Sequence, residues 1–234
     1  MDRKLLALPK INDNRPKPEN IEIEKVGTIH NAATNTLHIN DMIDNWMGIS
    51  AEDVKNALSE MDETQPLRVV INSDGGSVYE AIAIHNQIAE WPGEVTTHIS
   101  SLAASSASFI AMVGDKRTIA DNAKFMIHHP WTFAAGNAAE FRALAGMLDK
   151  TGEGLIDMYD RKSSLSREEI SSLMTGEDGA DGTYLSATEA LDAGFVTGIV
   201  DTSRSKPANS VLNALKPRLI SARIKISDID FNSN

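Results

Sequence analysis

Four serines and several alanines are clustered in the stretch SLAASSASFIAMVGD, from Ser101 to Asp115, which continues into large apolar residues. Serine is a poor residue for a helix interior unless it caps the helix or has another role. Side chains this small can permit close packing of a helix. Alternatively, a serine at a strand-to-helix junction exposes its hydroxyl beside free N–H groups, as in a nucleophile elbow. The local sequence leaves both interpretations open.

Two adjacent histidines, His128 and His129, end the apolar run FMIHHP, and Pro130 follows them. Neighbouring side chains on a strand point to opposite faces, and the chain has no HExxH motif, so a metal site is not predicted. An imidazole titrates near neutral pH and suits a general base. A histidine that only satisfies a structural hydrogen bond would give the same pattern.

A glycine turn, SDGGS from Ser73 to Ser77, follows a predicted buried strand. Glycines at such a turn can expose backbone N–H groups to an oxyanion or a phosphate, although a simple turn has the same composition. The spacing matches neither a Walker A loop nor GxGxxG, so a nucleotide site is not predicted.

Three acidic residues, Glu177, Asp178 and Asp181, lie in the loop before YLSATEA. Acidic residues in loops are usually solvated. A catalytic triad, however, needs a carboxylate that holds its base in the correct tautomer.

The composition indicates a globular protein with an acidic surface. The 234 residues are 41% hydrophobic and 24% charged, with a net charge of -11. A nucleic-acid partner normally requires a concentrated basic face and is therefore not expected. The absence of cysteine excludes disulfides, thiolate metal sites and cysteine nucleophiles. We find no signal-peptide pattern and no bilayer-spanning run, so we expect a cytoplasmic protein without a membrane partner.

Strand-type and helix-type segments alternate through the chain. IEIEKVG from Ile21 and TNTLHIN from Thr34 predict strands, and LRVVIN from Leu67 predicts a buried one. An apolar stripe from Val78 to Trp91 predicts a helix. EVTTHIS, the serine-rich segment and KFMIH then give strand, helix and strand. This order predicts an α/β domain with a mostly parallel sheet and right-handed crossover helices.

A long helix is predicted from about 138 to 161, with apolar residues on a narrow seam of near-3.5-residue period. The seam consists of Phe141, Leu144, Leu148, Leu155 and Met158.

Two capping boxes, Ser166 with Glu169 and Ser186 with Glu189, predict short helices after the long one. FVTGIV predicts a closing strand. We divide the chain into a flexible arm (1–20), one domain (21–201) and a tail (202–234).

Four motifs together resemble one family. INSDGGSV, AASSASFIAMVGD, MIHHP and YLSATEALDAGFV occur in the order and approximate spacing of the Clp-type proteolytic subunit (ClpP) family. HHPW, GNAAEFRALAGMLDK and YDRKS look most like the bacteriophage branch, the ClpP-like head-maturation proteases. The resemblance spans roughly residues 21–200. It implies a ClpP/crotonase-like α/β fold with a protruding long helix, the handle.

The resemblance implies roles for individual residues. The nucleophile of the family's AAS motif falls on Ser105, and the base of its MIHxP motif falls on His128, with His129 as a variable neighbour. The oxyanion donors would be the N–H groups of Gly76 and Ser106.

The chain departs from the family at two positions. Ser101 stands where the family usually has glycine. The family's acid lies four residues before the serine of the LSA motif, where this chain has Gly182. We take Asp181 as the expected acid, with Asp178 next and a Ser–His dyad aided by a loop carboxylate as the third interpretation.

The implied activity is that of a serine endopeptidase that needs no metal or cofactor. It would cleave polypeptides through a Ser-His-Asp acyl-enzyme mechanism, alone or assisted by an AAA+ unfoldase, inside a homo-oligomer of stacked rings joined by the helix 138–161. Phage capsid or scaffold proteins would be its partners in head maturation. Two alternatives stay open: a catalytically silent ClpP-like scaffold subunit, and a crotonase-fold acyl-CoA enzyme that uses the same oxyanion turn.

Overall fold

The computed structural model describes residues 30–177 and 181–203. The predicted arm 1–20, the predicted strand from Ile21, Asp178 and the tail beyond residue 203 lie outside these residues. The division of the chain into arm, domain and tail therefore stays a prediction.

The described residues form one sheet of eight strands, as predicted mostly parallel. The strands are β1 (His30–Asn31), β2 (Thr36–Ile39), β3 (Leu67–Ser73), β4 (Val95–Ala104), β5 (Lys116–Ala120), β6 (Lys124–Ile127), β7 (Thr183–Ser186) and β8 (Gly198–Val200). Their order is β1-β2-β3-β4-β5-β8, with β6 beside both β4 and β7. The pairs β1–β2 and β6–β7 are antiparallel, and the others are parallel.

Six α-helices occur in the described part of the chain. They are α1 (Ala51–Ser59), α2 (Val78–Ala89), α3 (Ser106–Ala111), α4 (Ala138–Asp160), α5 (Arg167–Thr175) and α6 (Ala187–Asp192). The two predicted capping boxes begin α5 and α6, and α1 and α4 begin with similar boxes. None of the described helices has the length and apolar character needed to cross a membrane.

The core is built from alternate residues of the central strands and from the helix that follows the serine cluster. In β3, Leu67, Val69 and Ile71 are buried, whereas Arg68 between them is exposed. Every residue of α3 is buried. Such complete burial requires small side chains where the helix meets the sheet, and the serines and alanines of this segment supply them.

Strand β4 pairs with a different neighbour along each half of its length. Residues 96–99 pair with β5, and residues 102–104 pair with β6. We predicted neither β5 nor β7 from the sequence. KRTIA begins with two charged residues, and TYLS is short and runs directly into the capping box of α6, so neither segment shows a clear strand pattern.

Helix α4 ends within one residue of the predicted boundary, but its apolar seam is not continuous. Phe141 is 47% exposed, whereas Leu155 is buried in the core and Met158 packs against it. The prediction that all five apolar residues form one seam is therefore wrong in the C-terminal half of the helix, because Leu155 and Met158 pack within their own chain. Residues 138–150 are exposed or half-buried throughout.

Candidate active site

Ser105 lies at the junction between β4 and α3, in a backbone conformation that few residues adopt. Its φ is 54° and its ψ is -129°. A non-glycine residue at such angles is strained by about 1–3 kcal/mol and persists only where its surroundings hold it. One restraint is the hydrogen bond that the Ser105 N–H donates to the carbonyl of Met126, at 3.0 Å. The turn has the strand-to-helix form expected of a nucleophile elbow.

The hydroxyl of Ser105 lies 2.6 Å from Nε2 of His128. The sheet register accounts for this proximity. Ala104 at the end of β4 is paired in parallel with Met126 of β6, so the residues just beyond each strand emerge at the same edge. The pairing of the end of β4 with β6 thus brings together the side chains of Ser105 and His128, which are 23 positions apart.

Asp181 completes a line of three side chains. Its Oδ1 lies 3.0 Å from Nδ1 of His128. Strand β7 runs antiparallel to β6 with Thr183 opposite Ile127, so the residues just before β7 return to His128. A carboxylate can only accept, so Nδ1 carries the hydrogen and Nε2 is left to accept the hydroxyl hydrogen of Ser105.

Gly182 stands where the family's acid was expected, and the structure gives a reason for its lack of a side chain. Its φ is 86°, and a Cβ there would lie 2.4 Å from Cβ of His128 and 2.3 Å from the carbonyl oxygen of Ile127. A carboxylate on this position would collide with the imidazole that it should orient. The neighbouring Asp181 supplies the carboxylate from one position earlier.

The glycine turn SDGGS packs directly against Ser105. Gly75 has a φ of 92°, and a Cβ there would lie 2.7 Å from Cβ of Ser105 and 2.9 Å from the backbone nitrogen of Ser106. The loop residue Ile43 fixes the turn from the other side, since its N–H donates to Gly75 and its carbonyl accepts from Ser77.

Two residues beside the serine have backbone N–H groups that make no backbone hydrogen bond to the described residues. Those of Gly76 and Ser106 have no backbone acceptor within residues 30–177 and 181–203. Ser106 is the first residue of α3, where N–H groups have no intrahelical partner. These are the two donors that the resemblance implied.

Ser105 and His128 open onto a cleft of about 850 Å³. Ser105, His128 and the glycine turn line its floor, and two loops line its walls. The loop after His129 contributes Trp131 and Phe133, whose exposed rings meet edge to face with centroids 5.0 Å apart. We assigned these aromatic residues no role from the sequence. Their position directly after the MIHHP motif is the sequence feature that could have placed them near the site.

His129 is directed away from the serine. Nε2 of its ring lies 3.3 Å from the hydroxyl of Thr175 at the end of α5, and its backbone N–H donates to the carbonyl of Met174. It therefore serves the packing of α5. Within the described ranges, no group of three or more histidine, aspartate or glutamate side chains could hold a metal ion.

Comparison with known proteins gives a consistent result. The family model described as Clp protease matches residues 34–203. The ATP-dependent Clp protease proteolytic subunit of Leuconostoc citreum is 32% identical over 154 residues, which cover 64% of this chain and 74% of that protein.

Two further relatives carry similar names. The ATP-dependent Clp protease proteolytic subunit 1 of Chlamydia trachomatis is 33% identical over 140 residues, covering 58% of this chain and 70% of its own length. The ATP-dependent Clp protease proteolytic subunit of Deinococcus radiodurans is 28% identical over 149 residues, covering 63% and 71%. The candidate site residues all lie inside the range that the family model matches.

Proposed function

Because this chain belongs to the Clp protease family and is a serine endopeptidase, we propose that it cleaves polypeptides through an acyl-enzyme formed on Ser105. One observation carries the proposal. The atoms of Asp181, His128 and Ser105 form a continuous line of contacts at 3.0 Å and 2.6 Å, beside two N–H groups without a backbone acceptor in the described residues. A nucleophile, a base and an orienting acid in contact are the components that acyl transfer requires.

The reaction begins with attack of the Ser105 hydroxyl oxygen on the carbonyl carbon of the scissile bond. Nε2 of His128 takes the hydroxyl proton as the new C–O bond forms. The carbonyl oxygen becomes an oxyanion, which accepts hydrogen bonds from the N–H groups of Gly76 and Ser106.

Collapse of this intermediate breaks the C–N bond, and His128 donates its proton to the leaving amine. The acyl group stays on Ser105. A water molecule then attacks the ester carbonyl while His128 takes one of its protons, and the second collapse returns that proton to Ser105 and releases the new carboxyl end. Asp181 accepts from Nδ1 throughout, stabilises the transient imidazolium and keeps the ring in its orientation.

A fluorophosphonate probe tests the proposal, because it phosphonylates only an activated serine. We expect stoichiometric labelling of the wild type and none of Ser105→Ala, with labelled casein cleaved roughly a million-fold more slowly by that variant. Ser101→Ala is the matched control, since Ser101 is exposed on β4. Labelling of Ser105→Ala at the wild-type rate would contradict the assignment of the nucleophile.

The same experiment, with a thioester hydrolysis assay added, separates the two alternatives. A catalytically silent scaffold subunit would give no labelling of the folded wild type. An acyl-CoA enzyme of the crotonase fold would turn over thioesters and would not depend on Ser105 and His128 together. The contact between these two side chains favours the peptidase.

We also propose that the active form is a homo-oligomer of stacked rings in the cytoplasm, which an AAA+ unfoldase can supply with substrate. The family resemblance supports this assembly, and so does the exposed N-terminal half of α4, where Phe141 and Met147 face solvent in the single chain. Large apolar side chains along an exposed helix are typical of an interface between subunits.

The narrower proposal, that capsid or scaffold proteins of a phage head are the natural substrates, rests on the sequence resemblance alone. Its test is digestion of a purified phage scaffold protein, with Ser105→Ala as the control. A scaffold that resists the enzyme while casein is degraded would contradict it.

A further inference from the structure

The carbonyl group of Ser105 accepts two hydrogen bonds from one residue. The N–H of Ser108 donates at 3.1 Å, and the hydroxyl of Ser108 donates at 2.6 Å. The N–H bond is the ordinary closure of a first helical turn. The hydroxyl bond is an additional one, made to the residue whose backbone angles are strained.

The hydroxyl of Ser108 also contacts a tyrosine from another helix. The hydroxyl oxygens of Ser108 and Tyr159 lie 2.8 Å apart, and both residues are buried. Ser108 has a single hydroxyl hydrogen and gives it to a carbonyl, which can only accept. Tyr159 must therefore donate to Ser108. Burial raises the pKa of the Tyr159 hydroxyl, so this hydroxyl keeps its hydrogen.

The tyrosine ring is fixed by an aromatic cluster. It meets Phe195 edge to face with centroids 5.7 Å apart, and Phe195 stacks on Phe125 at 4.9 Å. Phe125 belongs to β6, the strand that leads to His128. A ring held on these sides keeps its hydroxyl in one place, which makes Tyr159 a rigid support for Ser108.

The geometry of one peptide bond links this support to the oxyanion site. The carbonyl of Ser105 and the N–H of Ser106 belong to the same planar trans peptide group and point in opposite directions. A donor that fixes the direction of this carbonyl therefore also fixes the direction of the N–H of Ser106. If the carbonyl were released, the strained residue could relax and turn that N–H away from the cleft.

We propose that Ser108 and Tyr159 are positioning residues, which hold the Ser105–Ser106 peptide plane through two consecutive hydrogen bonds and so aim the Ser106 N–H at the oxyanion. This inference rests on the proposed function of Ser105 and adds two residues to it. Neither side chain lines the cleft. Their effect on catalysis passes through the peptide group alone.

Tyr159→Phe is the sharpest test, because it removes one hydroxyl and keeps the ring packed. We expect kcat for a peptide substrate to fall about threefold to tenfold with KM unchanged, the scale of one lost neutral hydrogen bond. Ser108→Ala should lower kcat further, up to the roughly hundredfold loss that follows removal of an oxyanion donor. Tyr184→Phe, which removes an exposed hydroxyl, is the matched control.

Two further variants separate positioning from stability. In Tyr159→Phe/Ser108→Ala, kcat should equal that of Ser108→Ala within about twofold, because both changes break one chain of hydrogen bonds. Ser108→Thr keeps the hydroxyl, so a kcat above that of Ser108→Ala assigns the effect to the hydroxyl, whereas the added methyl group at this fully buried position should lower the melting temperature. Turnover is measured per labelled active site and below the melting temperature, so that unfolded protein does not contribute.

The outcomes distinguish failure of this inference from failure of the proposed function. A folded wild type that is not labelled by the fluorophosphonate would overturn both. A labelled, active wild type together with an unchanged kcat in Tyr159→Phe and Ser108→Ala would overturn the positioning role alone. A lower melting temperature with unchanged kcat per labelled site would do the same, since it would assign both residues to stability only.

Discussion

Nδ1 of His128 lies 3.0 Å from Oδ1 of Asp181, yet the aspartate side chain is 71% exposed while that of the histidine is only 10% exposed. Water competes for an exposed carboxylate and screens its charge, so such a pair is weaker than a buried one. In the line of contacts from Ser105 to Asp181, the central histidine is therefore enclosed by protein, whereas the aspartate at the end is solvated.

Asp181→Asn should slow peptide cleavage by about a hundredfold, less than the roughly ten-thousandfold loss seen when a buried triad carboxylate is changed. The asparagine can still form a hydrogen bond with His128 but selects the correct tautomer less firmly. The loss is limited because water already solvates the exposed carboxylate in the wild type and weakens its effect on His128. Steady-state kinetics on a fluorogenic peptide measures the effect. Glu177→Gln, a change in the same loop, should keep wild-type rates, and equal rates for both variants would mean that His128 works without Asp181.

Gly75→Ala should lower kcat by at least about a hundredfold, the loss expected when an oxyanion donor is displaced. The added Cβ would lie 2.7 Å from Cβ of Ser105 and 2.6 Å from the carbonyl oxygen of Ala104. Either the turn or the serine has to shift. Gly198→Ala in β8 is the matched control, because its Cβ meets nothing within 4 Å. Wild-type kcat in Gly75→Ala would show that the turn does not contribute to catalysis.

Replacing Leu144 and Leu148 with aspartate should split the assembled particle and reduce peptidase activity together. Both residues are half-buried in the protruding half of α4, and burying the remaining surface of each between subunits would contribute on the order of 1 kcal/mol. Size-exclusion chromatography with light scattering gives the mass.

The control for assembly places aspartates on another exposed helix surface, Lys55→Asp and Asn56→Asp of α1. These changes should leave the mass unaltered. An active wild-type monomer, or an unchanged particle in the α4 variant, would exclude the handle as the contact between rings.

Arg117→Lys should lower the free energy of unfolding by about 2–4 kcal/mol, because a compact ammonium cannot replace a planar guanidinium that serves several acceptors. The buried guanidinium donates to the carbonyls of Gly114, Lys162, Gly194 and Phe195. Urea titration measures the change. Arg142→Lys, on the exposed part of α4, should have almost no effect, and equal stability of the two variants would contradict the role of Arg117.

The sequence patterns predicted the alternation of elements, the long helix and the two capping boxes, since each depends on neighbours within a few positions. Ser101, where the family usually has glycine, lies exposed within β4 and leaves the strand unbroken. The strands β5 and β7 could not be predicted because their pairing partners, not their own residues, make them strands.

Parts of the candidate site were equally inaccessible to sequence reasoning. Ser108 and Tyr159 are 51 positions apart, and although Ser108 belongs to the serine cluster, nothing in the sequence links it to Tyr159. The carboxylate is on Asp181 and not on residue 182 because residue 182 has a positive φ and lies too close to His128 for a side chain. The spacing of residues along the chain does not reveal the contact between Gly182 and His128, because this contact arises only when β6 and β7 pair.

The late position of β7 in the chain has a consequence for biosynthesis. Ser105 and His128 can meet once β4 and β6 have paired, but the carboxylate of Asp181 is 53 positions beyond His128 and reaches it only through the antiparallel β6–β7 contact. During synthesis, residues 105 and 128 leave the ribosome before residue 181, so the nascent chain has its serine and histidine outside the ribosome before the carboxylate of Asp181. A growing chain therefore lacks the β6–β7 pairing, and with it the line of three side chains, while its own unfolded segments are still exposed to cleavage.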